Sequence, residues 1–474
     1  MLSNVAPVSD FRDTKNWNIF KLQRTILLIF GLWPADRLVR RWYMKVLIAI
    51  NLLTLALCMV GEFLHGLYAY WEGDLSETIE SICPTVARIS GFLRMVFYLI
   101  NEEKIEQVLN NIRQMLADKH PREKEVTKRL SKLGQQFTFY LFLMMFFAAC
   151  LYGVTPFFIM AYNWSQGQKP LVKLLPFKLA LPFDSQNSFY FVLTTIFLNY
   201  ASAPTITSQS GSDALFAGIC LYLYGQFQAI RLEVEALSVT LDDRSLKESF
   251  SQTQRINKEL RRISKRHQEI IDLVAEVRRA FMPNVLLVYT ATAIIMCIVC
   301  IALLVVEGIY KLTYLPYAFA ELTLLFLYSY SGTIIRDSSE AVQTVAYDFP
   351  WYRFDRNTRH LIQMMMIRAQ YGSNVDVPFF ETSLASFSTV SYMIMMVRTV
   401  AMFPHVFPSI PDRSYSFFIH YLNEILLVIP HQTTGVFKFH QYSWAINNPQ
   451  LFFAVRGQPL FFALVACTHK HSHL

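Results

Sequence analysis

The sequence predicts an all-α, polytopic membrane protein with seven transmembrane helices, a cytoplasmic N-terminus and helical anchor extensions in the cytoplasm. Of the 474 residues, 53% are hydrophobic and only 16% are charged, whereas soluble proteins carry about 25% charged residues. Seven segments have the roughly 20 mostly apolar residues needed to cross about 30 Å of hydrocarbon. Lysine and arginine collect in alternate connections between these segments, which is how membrane orientation is encoded.

The predicted spans differ in character along the chain. The first contains MKVLIAINLLTLALCMV, the second carries Arg88 and Arg94, and the third contains FTFYLFLMMFFAACLYGV. The fourth is too long for a bilayer and is expected to continue as a helix beyond it. In chain order the spans are about Met44–Leu67, Ile79–Ile100, Phe137–Tyr162, Ser188 to beyond Tyr222, Met282–Val306, Leu312–Ile334 and Phe379–Ala401.

The distribution of basic residues gives the orientation. Connections on the side of the N-terminus hold 31 Lys and Arg, and those on the other side hold four. By the positive-inside rule the N-terminus is cytoplasmic and the seventh span ends outside. The sequon Asn163-Trp164-Ser165 falls in an outside loop, so Asn163 is the predicted glycosylation site. G-protein-coupled receptors, which place the N-terminus outside, are excluded.

The net charge of +8 does not indicate a nucleic-acid partner, because the basic residues sit between apolar runs instead of forming one stripe. The seven cysteines include a C-x-x-C at Cys297 and Cys300. It lies inside an apolar run and is interpreted as packing, so no metal or cofactor is expected. The partner implied by composition is the lipid bilayer.

Residues 255–279 place apolar side chains near helical spacing among many charges. This pattern predicts an amphipathic helix that continues into the fifth span. The pattern leaves two alternatives open. The inward extensions of the fourth and fifth spans either pack against each other or partner subunits, or present a solvated basic face.

Four segments resemble the insect odorant receptor family. They are LPFKLALPFD (175–184, with Ala180 where the family often has Trp), SDALFAGICLYLYGQFQAIRLEVEAL (212–237), LYSYSGTIIRDSSEAVQTVAYDFPWY (327–352) and FSTVSYMIMMVR (387–398). The resemblance covers roughly residues 10–402, and the order and spacing of the motifs make it specific. The loop between the fourth and fifth spans is shorter than in the shared co-receptor, which favours a ligand-tuning subunit.

The resemblance implies an odorant-gated, non-selective cation channel, built as a heterotetramer with co-receptor subunits in the plasma membrane of sensory-neuron dendrites. It also implies a division of the chain into three parts: a cytoplasmic segment (1–42), the seven-helix channel domain (43–402, with anchor parts 225–281 and 335–378) and an atypical tail (403–474). Family members end soon after the seventh span. The tail is expected to lie loosely packed outside or to insert as an eighth span.

Candidate pore residues lie on the seventh span, which is rich in hydroxyl side chains. Small and hydroxyl residues suit a pore lining, and apolar ones can close it by dewetting. The hydroxyls could instead be helix-packing residues. The resemblance places the constriction at Met395 and Thr399, with Arg398 where the co-receptor has Gln. The predicted pore residues are Ser388, Ser391, Met395, Arg398 and Thr399.

Candidate odorant-binding residues form aromatic and apolar stripes on four spans, as a site for a small volatile molecule requires. Plain packing is the alternative for each stripe. Arg88 is costly within a span; it either meets an acidic or carbonyl-bearing ligand or pairs with Glu62, and the pairing is favoured. The predicted residues are Arg88, Phe92, Phe147, Leu151, Thr155, Leu198, Ser202, Tyr314 and Tyr317.

No enzyme activity is expected. His267 and Asp272 form an acyltransferase-like H-x-x-x-x-D, but residues five apart on a helix point away from each other. His469, His471 and His473 near Cys467 could bind metal, although a floppy tail is favoured. The alternative functions are a gustatory-type or other chemoreceptor channel working as a homotetramer, a transporter and a membrane acyltransferase.

Overall fold

The computed structural model describes residues 19–34, 42–117, 121–167, 172–242, 250–306, 311–378 and 380–392. The chain divides into two compact units, one of residues 1–377 with 381–409 and one of 378–380 with 410–474. Only residues 378 and 380 of the second unit are described. The architecture given below is therefore that of the first unit.

The first unit is a bundle of long helices. They are α1 (Lys21–Ile29), α2 (Trp42–Glu72), α3 (Leu75–Ile100), α4 (Glu102–Ala117), α5 (Pro121–Ser165), α6 (Ser188–Asp242), α7 (Phe250–Val305), α8 (Lys311–Asp348) and α9 (Arg356–Gln370). A 3₁₀ turn at Trp351–Arg353 joins α8 to α9, and residues 384–392 are helical. The all-α prediction is confirmed.

Six of these helices are long and apolar enough to cross a membrane, among the residues that the structure describes. They are α2, α3, α5, α6, α7 and α8, and they contain the first six predicted spans. The described part of the predicted seventh span, Phe379–Ala401, is residues 380–392. Met395, Arg398, Thr399 and the predicted tail lie outside the described residues.

Four helices are much longer than a bilayer requires. The longest, α7, has 56 residues and at 1.5 Å per residue extends about 84 Å. The prediction that the fourth span continues beyond the membrane is confirmed by α6 (Ser188–Asp242), and residues 255–279 do run into the fifth span within α7.

The extensions of α6 and α7 pack against each other, which decides between the two alternatives for this region. Glu233 on α6 accepts hydrogen bonds from two arginines of α7, Arg262 at 2.9 Å and Arg266 at 3.5 Å. A second guanidinium nitrogen of Arg266 donates to Gln226 at 2.6 Å. Ile263 on the same stretch of α7 is 1% exposed. The basic residues therefore join two helices instead of forming only a solvated face.

A tight turn joins α2 to α3 and brings them side by side. Gly73 has φ +81°, the left-handed conformation that glycine adopts without a steric penalty at the end of a helix. Asp74 follows as the N-cap of α3 and accepts a hydrogen bond from the Glu77 backbone N–H at 2.9 Å. This turn brings the charged residues of α2 opposite those of α3.

Candidate functional site

An aromatic cluster lies near the end of the bundle where α2 turns into α3. It consists of Tyr152 on α5, Phe177 in the 172–187 loop, and Tyr314 and Tyr317 on α8. Tyr152 stacks on Phe177 with ring centroids 5.8 Å apart and meets Tyr314 and Tyr317 edge-on at 6.2 and 6.4 Å. Tyr314 also packs into an apolar core shared by α3, α7 and α8. Helix α8 and the loop therefore converge on a single ring of α5, Tyr152.

Arg88 adds a buried charge to this cluster. Its guanidinium carbon lies 4.4 Å from the centroid of the Phe177 ring, within the distance of a cation–π interaction. Its Nε donates to Oε1 of Glu62 at 2.7 Å, and the two side chains are only 3% and 0% exposed. The favoured interpretation, in which Arg88 pairs with Glu62, is therefore confirmed. The Nη1 and Nη2 groups have no hydrogen-bond partner among the described residues.

The 172–187 loop closes this end of the bundle. The Ala180 backbone N–H donates to the Gly61 carbonyl at 3.0 Å, and a Cβ at Gly61 would lie 2.9 Å from the Leu179 side chain. Lys178 bridges Glu77 and Glu80 at 3.0 and 2.9 Å. Partial burial of Lys178 lowers its pKa, but hydrogen bonding and attraction to Glu80 and Glu77 outweigh burial, so its pKa is raised and it stays charged.

Several predicted ligand residues meet at the cluster. Tyr314 and Tyr317 belong to it, Arg88 covers Phe177, and Leu198 packs beside Phe177 in a small core with Cys58. The other predicted ligand residues, all within the described part of the chain, are not among these contacts. Phe92, Leu151, Thr155 and Ser202 are half-buried, and the Thr155 and Ser202 hydroxyls donate to carbonyls of their own helices. Phe147 is 55% exposed on the outer face of α5.

Sequence reasoning missed the central ring, Tyr152, although it selected the neighbouring Leu151. It also quoted Phe177 only as part of a loop motif. The sequence held a signal in both cases. Tyr152 lies five residues after Phe147, so the two side chains face different sides of α5. Phe177 belongs to an apolar run within a loop. The sequence does not say which of the two faces of α5 points inward.

A second polar network crosses the middle of the bundle. Arg94 on α3 pairs with Asp213 on α6, and the Tyr328 hydroxyl on α8 donates to Oδ1 of Asp213 at 2.6 Å. The Tyr328 ring stacks on Phe216 with centroids 4.7 Å apart and planes 12° apart. Charges inside a membrane are costly unless paired. This network therefore holds three helices together by satisfying each charge internally.

Asp376 and residues 381–387 pack against α8 beyond its aromatic end. Arg336 on α8 donates to Asp376 at 2.8 Å and to Glu381 at 2.9 Å. A Cβ at Gly332 would overlap the Thr382 carbonyl, so only glycine permits this approach. Phe326 of α8 meets Phe387 edge-on at 5.7 Å. The helix that carries Tyr314 and Tyr317 therefore also holds the start of the predicted pore helix.

The remaining predicted sites stand apart from these networks. Ser388 is exposed and donates to the Leu384 carbonyl at 3.1 Å, and Ser391 is half-buried. Asn163 is in the last turn of α5. His267 is buried beside Phe227, whereas Asp272 accepts a hydrogen bond from Gln268 at 2.9 Å. The His267–Asp272 pair that would support an acyltransferase is therefore not assembled.

The bundle of helices long and apolar enough to cross a membrane is that of a multi-pass membrane protein. The family model described as 7tm Odorant receptor matches residues 74–395, and the chain belongs to this family, the insect odorant receptors. The family is one of receptors and not of enzymes, which confirms the expectation of no enzyme activity.

Relatives agree with this assignment, and a solved structure has the same fold. The chain is 26% identical over 396 residues to Odorant receptor 22c of Drosophila melanogaster, covering 81% of this chain and 97% of that one. It is 26% identical to Odorant receptor 10a of the same species, covering 78% and 92%. The structure of olfactory receptor OR5 from Machilis hrabei in complex with eugenol matches with a TM-score of 0.67 and 16% identity, covering 82% of this chain and 98% of that one.

Proposed function

We propose that this chain is the odorant-binding subunit of an odorant-gated, non-selective cation channel that assembles with co-receptor subunits as a heterotetramer. The observation that carries the proposal is the double engagement of α8. One end contributes Tyr314 and Tyr317 to the aromatic cluster, and the middle packs Phe326 and Gly332 against residues 382–387. A ligand that displaces the two tyrosines acts directly on the helix that holds the start of the pore segment.

The odorant enters at the 172–187 loop, which faces outside when the N-terminus is cytoplasmic. The count of 31 against four basic residues supports that orientation. The aromatic cluster is closely packed, so a bound odorant must rotate the rings or lift the loop. The Machilis hrabei receptor solved with eugenol supports a small-molecule ligand. The proposed ligand site comprises Arg88, Leu198, Tyr314, Tyr317 and their neighbours Tyr152 and Phe177.

The pore is proposed to run along the helix that begins at residue 384. Hydroxyl groups of Ser388 and Ser391 would face water-filled space, and Met395 would close it by dewetting. Thr399 lies one turn beyond Met395. Arg398 would repel cations if it faced the lumen, so the proposal places it at a subunit interface.

Assembly is proposed to use the outer face of α9. Met364 and Ile367 are 54% and 60% exposed, and their spacing of three residues puts them on one face of the helix. Tyr371, the residue that follows α9, is 77% exposed. Exposed apolar stripes of this kind mark interaction sites. A co-receptor subunit is the proposed partner, and the plasma membrane of olfactory neuron dendrites is the proposed location.

The test is current recorded in oocytes that express the full chain with and without the co-receptor, against a panel of volatile compounds. The proposal expects an odorant-evoked cation current only when both chains are present. Current from this chain alone would instead support the alternative, a gustatory-type chemoreceptor working as a homotetramer. Silence followed by current after truncation at residue 402 would assign an inhibitory effect to the tail. Surface-expressed protein that is silent in every case would contradict the channel proposal.

A further inference from the structure

We infer that the aromatic cluster selects uncharged ligands with a carbonyl oxygen, such as ketones, aldehydes and esters, through the free Nη groups of Arg88. This inference deepens the proposed function and rests on it. The sequence left two ligand classes open for Arg88, acidic and carbonyl-bearing. The contacts of Arg88 and Glu62 separate them.

Arg88 has hydrogen-bond donors that its pairing with Glu62 does not use. Arginine offers five N–H donors, and only the Nε donor of Arg88 is used, to Glu62 at 2.7 Å. The four N–H groups on Nη1 and Nη2 are buried without partners among the described residues. Arginine–carboxylate pairs are frequently bidentate, so a purely structural pair would be expected to engage Nη as well. Because Arg88 contacts Glu62 through Nε alone, its Nη1 and Nη2 groups remain available to donate to a ligand.

The Nη1 and Nη2 groups of Arg88 require an acceptor atom as their partner. Buried donors without partners are costly, and an acceptor oxygen removes the cost. In the Arg88–Glu62 pair, four donors on Nη1 and Nη2 lack a partner among the described residues, against one acceptor, Oε2 of Glu62. A carbonyl oxygen brings two lone pairs and no proton, so it can accept from both Nη groups. A hydroxyl must in addition place its own proton.

The charge balance of the site disfavours an acidic ligand. Glu62 already neutralises Arg88, and both are buried. A carboxylate ligand would add a second negative charge in a medium where an uncompensated charge is strongly unfavourable. Near the 172–187 loop, Glu77 and Glu80 both contact Lys178, and Glu77 also lies 3.5 Å from His65. A neutral carbonyl leaves the charge balance of the site unchanged.

The Arg88 guanidinium lies beside the aromatic rings of the cluster. The Arg88 guanidinium lies over Phe177, and Phe177 stacks on Tyr152. A ligand whose apolar part lies among these rings therefore has its polar end within reach of Nη1 or Nη2. The site thus combines an aromatic surface for a hydrocarbon chain with donors for one oxygen.

The experiment compares compounds of matched length on the full chain expressed with the co-receptor. The compounds are heptan-2-one, methyl hexanoate, heptan-1-ol, heptanoate and 1-heptene. Arg88→Met alone leaves Glu62 buried without a partner and can prevent folding. The double variant E62M/R88M removes the pair together, a replacement that is often neutral or stabilising. The matched control, K265M/E269M, removes a surface ion pair of α7 spanning 3.7 Å.

We expect heptan-2-one and methyl hexanoate to activate the channel at lower concentrations than 1-heptene or heptanoate. E62M/R88M should raise the half-maximal concentration for the two carbonyl compounds about 10- to 150-fold, because it removes a hydrogen bond to a charged group. Its response to 1-heptene should change less than its responses to the two carbonyl compounds, and all responses of K265M/E269M should stay unchanged. Carbonyl responses that survive in E62M/R88M, or heptanoate as the strongest agonist, would overturn the inference while leaving the proposed channel function intact.

A binding measurement keeps the inference testable if no compound evokes current. Thermal stability of the purified chain is measured with each compound. Stabilisation by heptan-2-one that disappears in E62M/R88M would support the carbonyl site even though the channel proposal had failed. Equal stabilisation of wild type and E62M/R88M, or none of either, would overturn it.

Discussion

Replacing Tyr328 with phenylalanine isolates one hydrogen bond of the central network. The Tyr328 hydroxyl donates to Oδ1 of Asp213 at 2.6 Å, and both side chains are 0% exposed. The ring stacks on Phe216, and phenylalanine keeps that stacking. Asp213 also keeps its pairing with Arg94. The substitution therefore removes an oxygen and little else.

The expected magnitude follows from the charge of the acceptor. Hydrogen bonds to charged groups contribute about 1.5–3 kcal/mol. Tyr328→Phe should therefore lower the free energy of unfolding by that amount, which reduces the ratio of folded to unfolded protein about 10- to 150-fold.

A matched control exists on α7. The Tyr289 hydroxyl forms a hydrogen bond of 2.6 Å with the Ser329 hydroxyl, and Tyr289 is 4% exposed. Distance, substitution and burial are closely similar to those at Tyr328, but the partner is neutral. Hydrogen bonds between helices in membranes average about 0.6 kcal/mol. Tyr289→Phe should thus cost clearly less than Tyr328→Phe.

The assay is the unfolding of purified protein in mixed micelles by increasing SDS, followed by tryptophan fluorescence, for wild type and both variants. The midpoint should fall for Tyr328→Phe and move much less for Tyr289→Phe. If the two variants lose equal stability, or Tyr289→Phe loses more, the ionised state of Asp213 is not what makes the Tyr328 contact strong, and the reasoning is refuted.

Three further predictions concern other parts of the chain. Gly332→Ala should destabilise the protein by about 1–3 kcal/mol and reduce its surface expression, because the added Cβ overlaps the Thr382 carbonyl. The control is Gly134→Ala, whose added Cβ would lie 3.6 Å from its nearest neighbour. It should leave surface expression unchanged in the same surface-labelling assay. Asp355→Ala should lower the free energy of unfolding by about 1 kcal/mol, because it removes the N-cap of α9. Hydrogen bonding lowers the Asp355 pKa, so urea titrations should show wild type to be more stable than the variant at neutral pH. This stability difference should disappear as the pH falls through the Asp355 pKa. Asn163→Gln should abolish a glycosidase-sensitive mobility shift, and an unglycosylated wild type would argue against an outside position for this end of α5.

The sequence by itself determined the membrane-spanning helices and the extensions of α6 and α7. Both depend on local properties. Hydrophobic runs of sufficient length predict spans, and the spacing of Ile256, Leu260 and Ile263 predicts a helix with one buried face. That face exists because the extension is surrounded by water except where it meets a neighbour. The motifs of residues 175–184 and 327–352 likewise predicted the family without any contact information.

Only the tertiary structure decided which residues meet. It joined Arg88 to Glu62 and chose Tyr152, not Phe147, as the centre of the aromatic cluster. In water, an apolar residue on a helix points to the core, so periodicity reveals its direction. In a bilayer, lipid accepts apolar side chains as readily as the protein interior does. The stripe at Phe147 and the face at Tyr152 therefore look alike in the sequence, and only packing against α8 and the 172–187 loop distinguishes them.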